Sequence, residues 1–132
     1  MHASPVLDVI APATALLAGG TFFAVFSLCT LLIETLALWL LKWGSFGRSL
    51  SASFVMNLAS TIVGFVLVAL SLNAPDFTAL FSAGFLLSVL IEGVILMLMK
   101  KGAARQNWIA SLVANVASYG FLAIAFLVLN LV

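Results

Sequence analysis

Four times along the chain, a run of about 20 apolar residues passes without an internal Lys or Arg. A segment of that length and polarity has one stable form in a bilayer. It becomes a helix, because only then do its backbone hydrogen bonds close within the segment. The runs extend from about Thr21 to Lys42, Ser49 to Leu72, Phe77 to Met99 and Gln106 to Asn130. Composition points the same way: 65% of the residues are apolar and 7% are charged, too few charges to cover a water-soluble fold of this size. The connections are short, so neighbouring helices must run antiparallel. The expected fold class is an all-α membrane protein with four transmembrane helices and no soluble domain.

One stretch occurs twice. Ile33-Glu34 through Asn57-Leu58-Ala59-Ser60 is matched by Ile91-Glu92 through Asn115-Val116-Ala117-Ser118. Registered with a shift of about 58, roughly 13 of the 30 positions from Leu31 to Ser60 are identical, a spacing typical of a duplicated unit. The matches include Glu34/Glu92, Lys42/Lys100, Gly44/Gly102, Ser53/Ser111, Asn57/Asn115 and Ser60/Ser118. The four helices are therefore read as two directly repeated antiparallel helical hairpins, 20–72 and 77–130, within a bundle spanning 20–132. A direct repeat relates the hairpins by a pseudo-two-fold axis along the membrane normal. Residues 1–19 form an N-terminal tail or interfacial segment, in which Pro5 and Pro12 argue against a continuous helix.

All five basic residues, Lys42, Arg48, Lys100, Lys101 and Arg105, fall at the two hairpin tips, while Asp8 and Asp76 fall on the other side. Short loops with this asymmetry place the tips in the cytoplasm and both termini outside. The basic residues act on topology and on anionic lipid headgroups. Trp39 and Trp43 close the first helix, where amphipathic rings favour the headgroup layer. Gly44-Ser45-Phe46-Gly47-Arg48 reads as a tight turn, and so does Asn73-Ala74-Pro75-Asp76, with Asp76 as an N-cap. The expected location is a bacterial plasma (inner) membrane, crossed several times.

Glu34 precedes Lys42 by eight residues, which puts its carboxyl about 12 Å inside the tip and close to the midplane. Asn57 reaches a similar depth on the next helix, and Glu92 and Asn115 repeat the arrangement. An acid at that depth costs about 2.5–3.5 kcal/mol on insertion scales, so it needs a reason to be there. The first reason is structural: Glu34 with Asn57 and Ser60, and Glu92 with Asn115 and Ser118, form hydrogen-bonded clamps that set helix register. The second is functional: the same six residues hold a proton, an ion or a polar ligand. A copied hairpin clamp accounts for every matched position without a ligand. Small residues Ala52, Ser60 and Gly64, with Ala110, Ala114 and Ser118, allow close helix approach.

Other chemistry is thinly supplied. His2 is the only histidine and Cys29 the only cysteine, so intrachain disulfides, histidine-paired haem, His-based zinc sites and Ser-His-Asp catalysis are excluded within one chain. No catalytic, cofactor-binding or metal residues are expected. Phe22, Phe23, Phe26, Phe81, Phe85 and Phe126 read as lipid-facing or interhelical packing, and Met56, Met97 and Met99 as gap-filling residues. The pattern Glu34…Ala52-Ser53…Asn57-Leu58-x-Ser60-Thr61…Gly64 resembles one hairpin of the cyanobacterial filament-integrity membrane proteins. That likeness covers a single hairpin and implies no activity for the pair. The leading expectation is a non-enzymatic accessory or scaffold subunit of a larger membrane complex. Its partners would be the lipid bilayer and other membrane subunits or copies of itself, with no nucleic acid. The alternative is a small proton- or cation-coupled channel or transporter with Glu34 and Glu92 in its path.

Overall fold

A computed structural model describes residues 5–70 and 77–131. Its regular elements there are four helices: α1 (Pro5–Leu40), α2 (Phe46–Leu70), α3 (Phe77–Met99) and α4 (Ala104–Leu131). Within them Gly19–Leu40, Phe46–Leu67, Thr78–Met99 and Ala104–Val128 are each long and apolar enough to cross a membrane. The protein is an all-α, multi-pass membrane protein in contact with lipid. The turn expected at Asn73-Ala74-Pro75-Asp76 lies outside the described residues.

The helices form a square. α1 packs on α2 and α4, and α3 packs on the same two, with no backbone contact across either diagonal among the described residues. Lipid already surrounds apolar side chains, so burying more of them between helices gains little. Close packing and hydrogen bonds hold the helices together instead. The interior reflects this: Glu34, Thr35, Ser49, Ser53, Glu92, Asn107, Ser111, Asn115 and Ser118 are all essentially inaccessible. Outward faces carry Leu40, Phe65, Leu98, Ile124 and similar apolar side chains. The apolar core is concentrated toward the tips, where Leu38, Trp43, Ala52, Met56, Leu96 and Ala110 form one buried cluster.

Several boundaries differ from the expectation, three of them instructively. α1 is continuous from Pro5 and runs through Pro12, correcting the break anticipated there. Pro5 occupies the first helical position, where a missing N–H costs nothing, and Pro12 gives up one bond within an alanine- and leucine-rich stretch of high helix propensity. α1 also stops at Leu40, two residues early, in a Schellman turn. The Trp43 N–H donates to the Leu38 carbonyl (3.0 Å) and the Lys42 N–H to the Trp39 carbonyl (2.9 Å), with Lys42 left-handed at φ 54°. α2 begins at Phe46 rather than near Ser49, with Ser45 Oγ accepting the Arg48 N–H at 3.4 Å as its cap. In the second tip the left-handed residue is Gly102 (φ 79°), so the two turns differ although Lys42 and Lys100 align.

Trp43 is the clearest correction. Trp39 is 47% exposed, as a headgroup-layer ring should be, but Trp43 is 1% exposed. The Schellman turn folds it back beneath the bundle end. Its indole Nε1–H donates to Asn107 Oδ1 (2.7 Å), whose Nδ2 donates to the Lys100 carbonyl (2.8 Å). Lys100 Nζ returns across the tips to the Trp43 carbonyl and to Gln106 Oε1, both at 2.8 Å. Arg48 reaches the Met99 carbonyl at 2.8 Å. The Arg48 guanidinium and the Lys100 ammonium lie 5.3 and 5.7 Å from the Trp43 ring centre, within cation–π range. Two of the basic residues assigned to topology thus also tie one tip to the other.

Candidate functional site

Each acid meets the amide expected of it. Asn57 Nδ2 donates to Glu34 Oε2, and Asn115 Nδ2 donates to Glu92 Oε2 at 2.6 Å. The amides are aimed by their own helix, since each Nδ2 also donates to the carbonyl four residues earlier, Ser53 and Ser111 respectively, at 3.0 Å. Those serines hold the hairpins together in turn. Ser53 Oγ donates to the Leu31 carbonyl at 3.0 Å, and Ser111 Oγ to the Val89 carbonyl at 2.8 Å. Ser53 adds a bond to Glu34 Oε2 at 3.3 Å. Apart from the Ser53–Glu34 bond, the same bonds recur 58 residues on, so the local cause is the shared Glu…Ser-x-x-x-Asn spacing.

Ser60 and Ser118 are placed differently from the expectation. Each Oγ donates back into its own helix, Ser60 to the Met56 carbonyl (3.0 Å) and Ser118 to the Asn115 carbonyl (3.3 Å). Across the square, however, Ser118 stands against Glu34 and Ser60 against Glu92. Each acid thus has a serine of the opposite hairpin beside it, while that hydroxyl donates into its own helix. Sequence spacing fits either arrangement, because both copies carry the serine at the same offset.

The acids sit at the end of a cavity of about 540 Å³. Its walls come from all four helices: Phe22, Phe23 and Phe26 of α1, Thr61, Gly64 and Phe65 of α2, Phe81 of α3, and Tyr119 and Phe126 of α4. Glu34, Asn57, Ser60 and Glu92 line its deep end, on the side of the packed tip core. The half of the bundle toward the tips is sealed, and the other half is open around the phenylalanines. Five of the six phenylalanines read as packing line this cavity. Their sequence positions give no sign of it, because the space depends on how far apart the diagonal helices stand.

The two acids are not equivalent. Asn57 is half-buried and faces the cavity, whereas Asn115 is inaccessible, does not line it, and has an Oδ1 without a donor. Lys42, Arg48, Lys100, Lys101 and Arg105 all belong to the tips, about 12 Å from the carboxyls, so no basic side chain shares their depth. A carboxylate in a bilayer without a counter-ion is costly, and the group is made neutral by a proton or balanced by a cation. The arrangement can therefore hold a proton on either acid, or set a carboxylate against a bound cation.

Comparison with protein-family models, with curated proteins and with solved structures returns no match. The functional reading rests on the geometry of the site.

Proposed function

We propose that this is a small proton- or cation-coupled membrane carrier or channel in which Glu34 and Glu92 form the exchanging site. One observation carries the reading: both acids lie beside a cavity walled by all four helices, although each carboxyl is itself almost fully covered. A clamp whose only task is register has no need of a cavity beside it, and close packing around it would strengthen it. The Asn and Ser bonds are consistent with either task, since they hold each carboxyl in place whether or not it exchanges a proton. The leucines, valines and phenylalanines on the outer faces serve lipid and a protein neighbour alike, so they give the accessory-subunit reading no separate support.

The test is proton movement into proteoliposomes that carry a trapped pH indicator. Gln keeps the shape of the acid and its hydrogen-bonding groups but cannot titrate. The Glu34→Gln/Glu92→Gln double variant is expected to fold normally and to lose the flux of the unaltered protein. Equal flux from a well-folded double variant would overturn the site. Recovery of a stoichiometric membrane partner after mild extraction, with no flux from the unaltered protein, would restore the accessory-subunit reading.

The one-sided basic tips support an orientation in a bacterial plasma membrane with the tip end in the cytoplasm and the cavity mouth outside. Single cysteines introduced at Ser45 and at Ala103, in a Cys29→Ser background, are expected to react with an impermeant maleimide only from the cytoplasmic face. Reaction of either from the outer face would reverse the orientation.

A further inference from the structure

Thr61 and Gly64 occupy the α2 positions that correspond, 58 residues on, to Tyr119 and Leu122 of α4. On the α3/α4 side the matching residues are larger, and both border the same cavity. The Tyr119 ring packs edge-on against Phe81 (5.1 Å between centres) and Phe85 (5.3 Å), and its hydroxyl meets Ser88 Oγ at 3.3 Å. On the α1/α2 side a methyl group added at Gly64 would meet nothing within 4 Å. The cavity is thus opened by two small residues on one helix, at the point where the duplicated halves differ. Glu34 with Asn57 and Ser60 borders it on that side and Glu92 opposite, each carboxyl almost fully covered.

The lining selects a kind of ligand. Aromatic rings attract a positive charge through their faces and an apolar body through their area. A carboxylate supplies the counter-charge. A small hydrated metal ion is poorly served by phenyl walls, which cannot replace its water, and an anion is repelled by the acids. A neutral hydrocarbon gains nothing from two buried carboxyls, whose desolvation has already been costly. The volume falls in the usual range for drug-sized ligands.

We propose that the cavity binds a lipophilic organic cation, with its charge against Glu34 and its apolar body among the phenylalanines, and that Thr61 and Gly64 set the size it admits. This rests on the acid-pair site proposed above and names its ligand class. The titratable groups facing the ligand are Glu34 on α1, Glu92 on α3 and Tyr119 on α4, while α2 contributes the neutral Asn57, Ser60 and Thr61. Protons and the cation compete for the same carboxyls, so binding weakens as the pH falls.

The experiment is equilibrium dialysis of the detergent-purified full chain with tetraphenylphosphonium, against a protein-free detergent blank. Tetraphenylborate, alike in size and shape but negative, is the control. Saturable binding of the cation and none of the anion is expected. Gly64→Leu, which copies the residue already present at the matching position of α4, should weaken cation binding about tenfold or more at unchanged thermal stability. Saturable tetraphenylborate binding overturns the proposal, and so does cation binding indifferent to Gly64→Leu in a folded variant. Should Gly64→Leu fail to fold, the comparison of the two ions on the unaltered protein decides. Absence of cation binding in a protein that still moves protons removes the ligand class and leaves the acid pair standing. Loss of both removes both.

Discussion

Glu92→Leu is expected to destabilise the bundle by about 2 kcal/mol and Glu34→Leu by about 1 kcal/mol or less, with Gln at either site costing less than Leu. The acids have the same neighbours at the same spacing, so sequence alone predicts equal effects. Burial of the amide partner separates them. Asn115 is inaccessible and its Oδ1 already lacks a donor, so losing Glu92 leaves its Nδ2 with the Ser111 carbonyl alone. Asn57 borders the cavity and remains half-buried, where water can replace the lost carboxylate. Gln supplies a carbonyl acceptor in place of Oε2 at both sites, which is why it is the milder change. The measurement is unfolding in mixed micelles, with each variant referred to the unaltered chain. Equal losses at the two sites, or a larger one at Glu34, would show that the cavity does not hydrate Asn57.

Much of this architecture is legible in the sequence because a bilayer leaves few alternatives. The absence of charge over a helix length locates each span, and the glycine- and lysine-bearing turns locate the tips. Glu34 with Asn57, and Glu92 with Asn115, could be paired because depth on two antiparallel helices follows from counting residues back to a shared turn. Such counting fails wherever a third helix decides. Counting pairs Ser60 with Glu34 and Ser118 with Glu92, whereas in the bundle each of these hydroxyls donates into its own helix and stands beside the acid of the other hairpin. Five phenylalanines that read as packing border an open space, because side-chain periodicity says which stripe faces inward but not how far away the facing stripe stands.

The asymmetry between the halves was also present in the sequence but carried no weight there. Identical positions define a repeat, and differences within it look like drift. Placed in the fold, the pairs that differ are informative. Thr61 and Gly64 against Tyr119 and Leu122 make the cavity roomier on one side than on the other. Gly93 stands 58 residues after Thr35, and a methyl group there would overlap the Trp108 ring, so loss of the side chain on α3 makes room for an indole on α4. Trp43 and Asn107 have Lys101 and Ser49 at the corresponding positions, so the tip network exists in a single copy. The polar clamps repeat, and the features that shape the cavity and seal the tips do not.

That single-copy seal is the other place where one substitution should have a large effect. Trp43→Ala is expected to cost about 3–5 kcal/mol, the usual range for emptying a buried aromatic site. Part of the loss is packing against Leu38 and the core cluster on which it lies. Part is polar: Asn107 is inaccessible, and its Oδ1 accepts from the indole, so the truncation strands a buried acceptor. Trp43→Phe divides the two. It keeps most of the ring, and with it the approach of Arg48 and Lys100, but removes the donor; about 1–3 kcal/mol should be lost. A double-mutant cycle with Asn107→Ala then tests the bond itself, because the cost of Trp43→Phe should largely vanish once the acceptor is gone. The unfolding assay used for the acids serves here as well. If Trp43→Phe unfolds with the unaltered chain, or its cost persists unchanged without Asn107, the indole is held by shape alone and the tips are not locked through this bond.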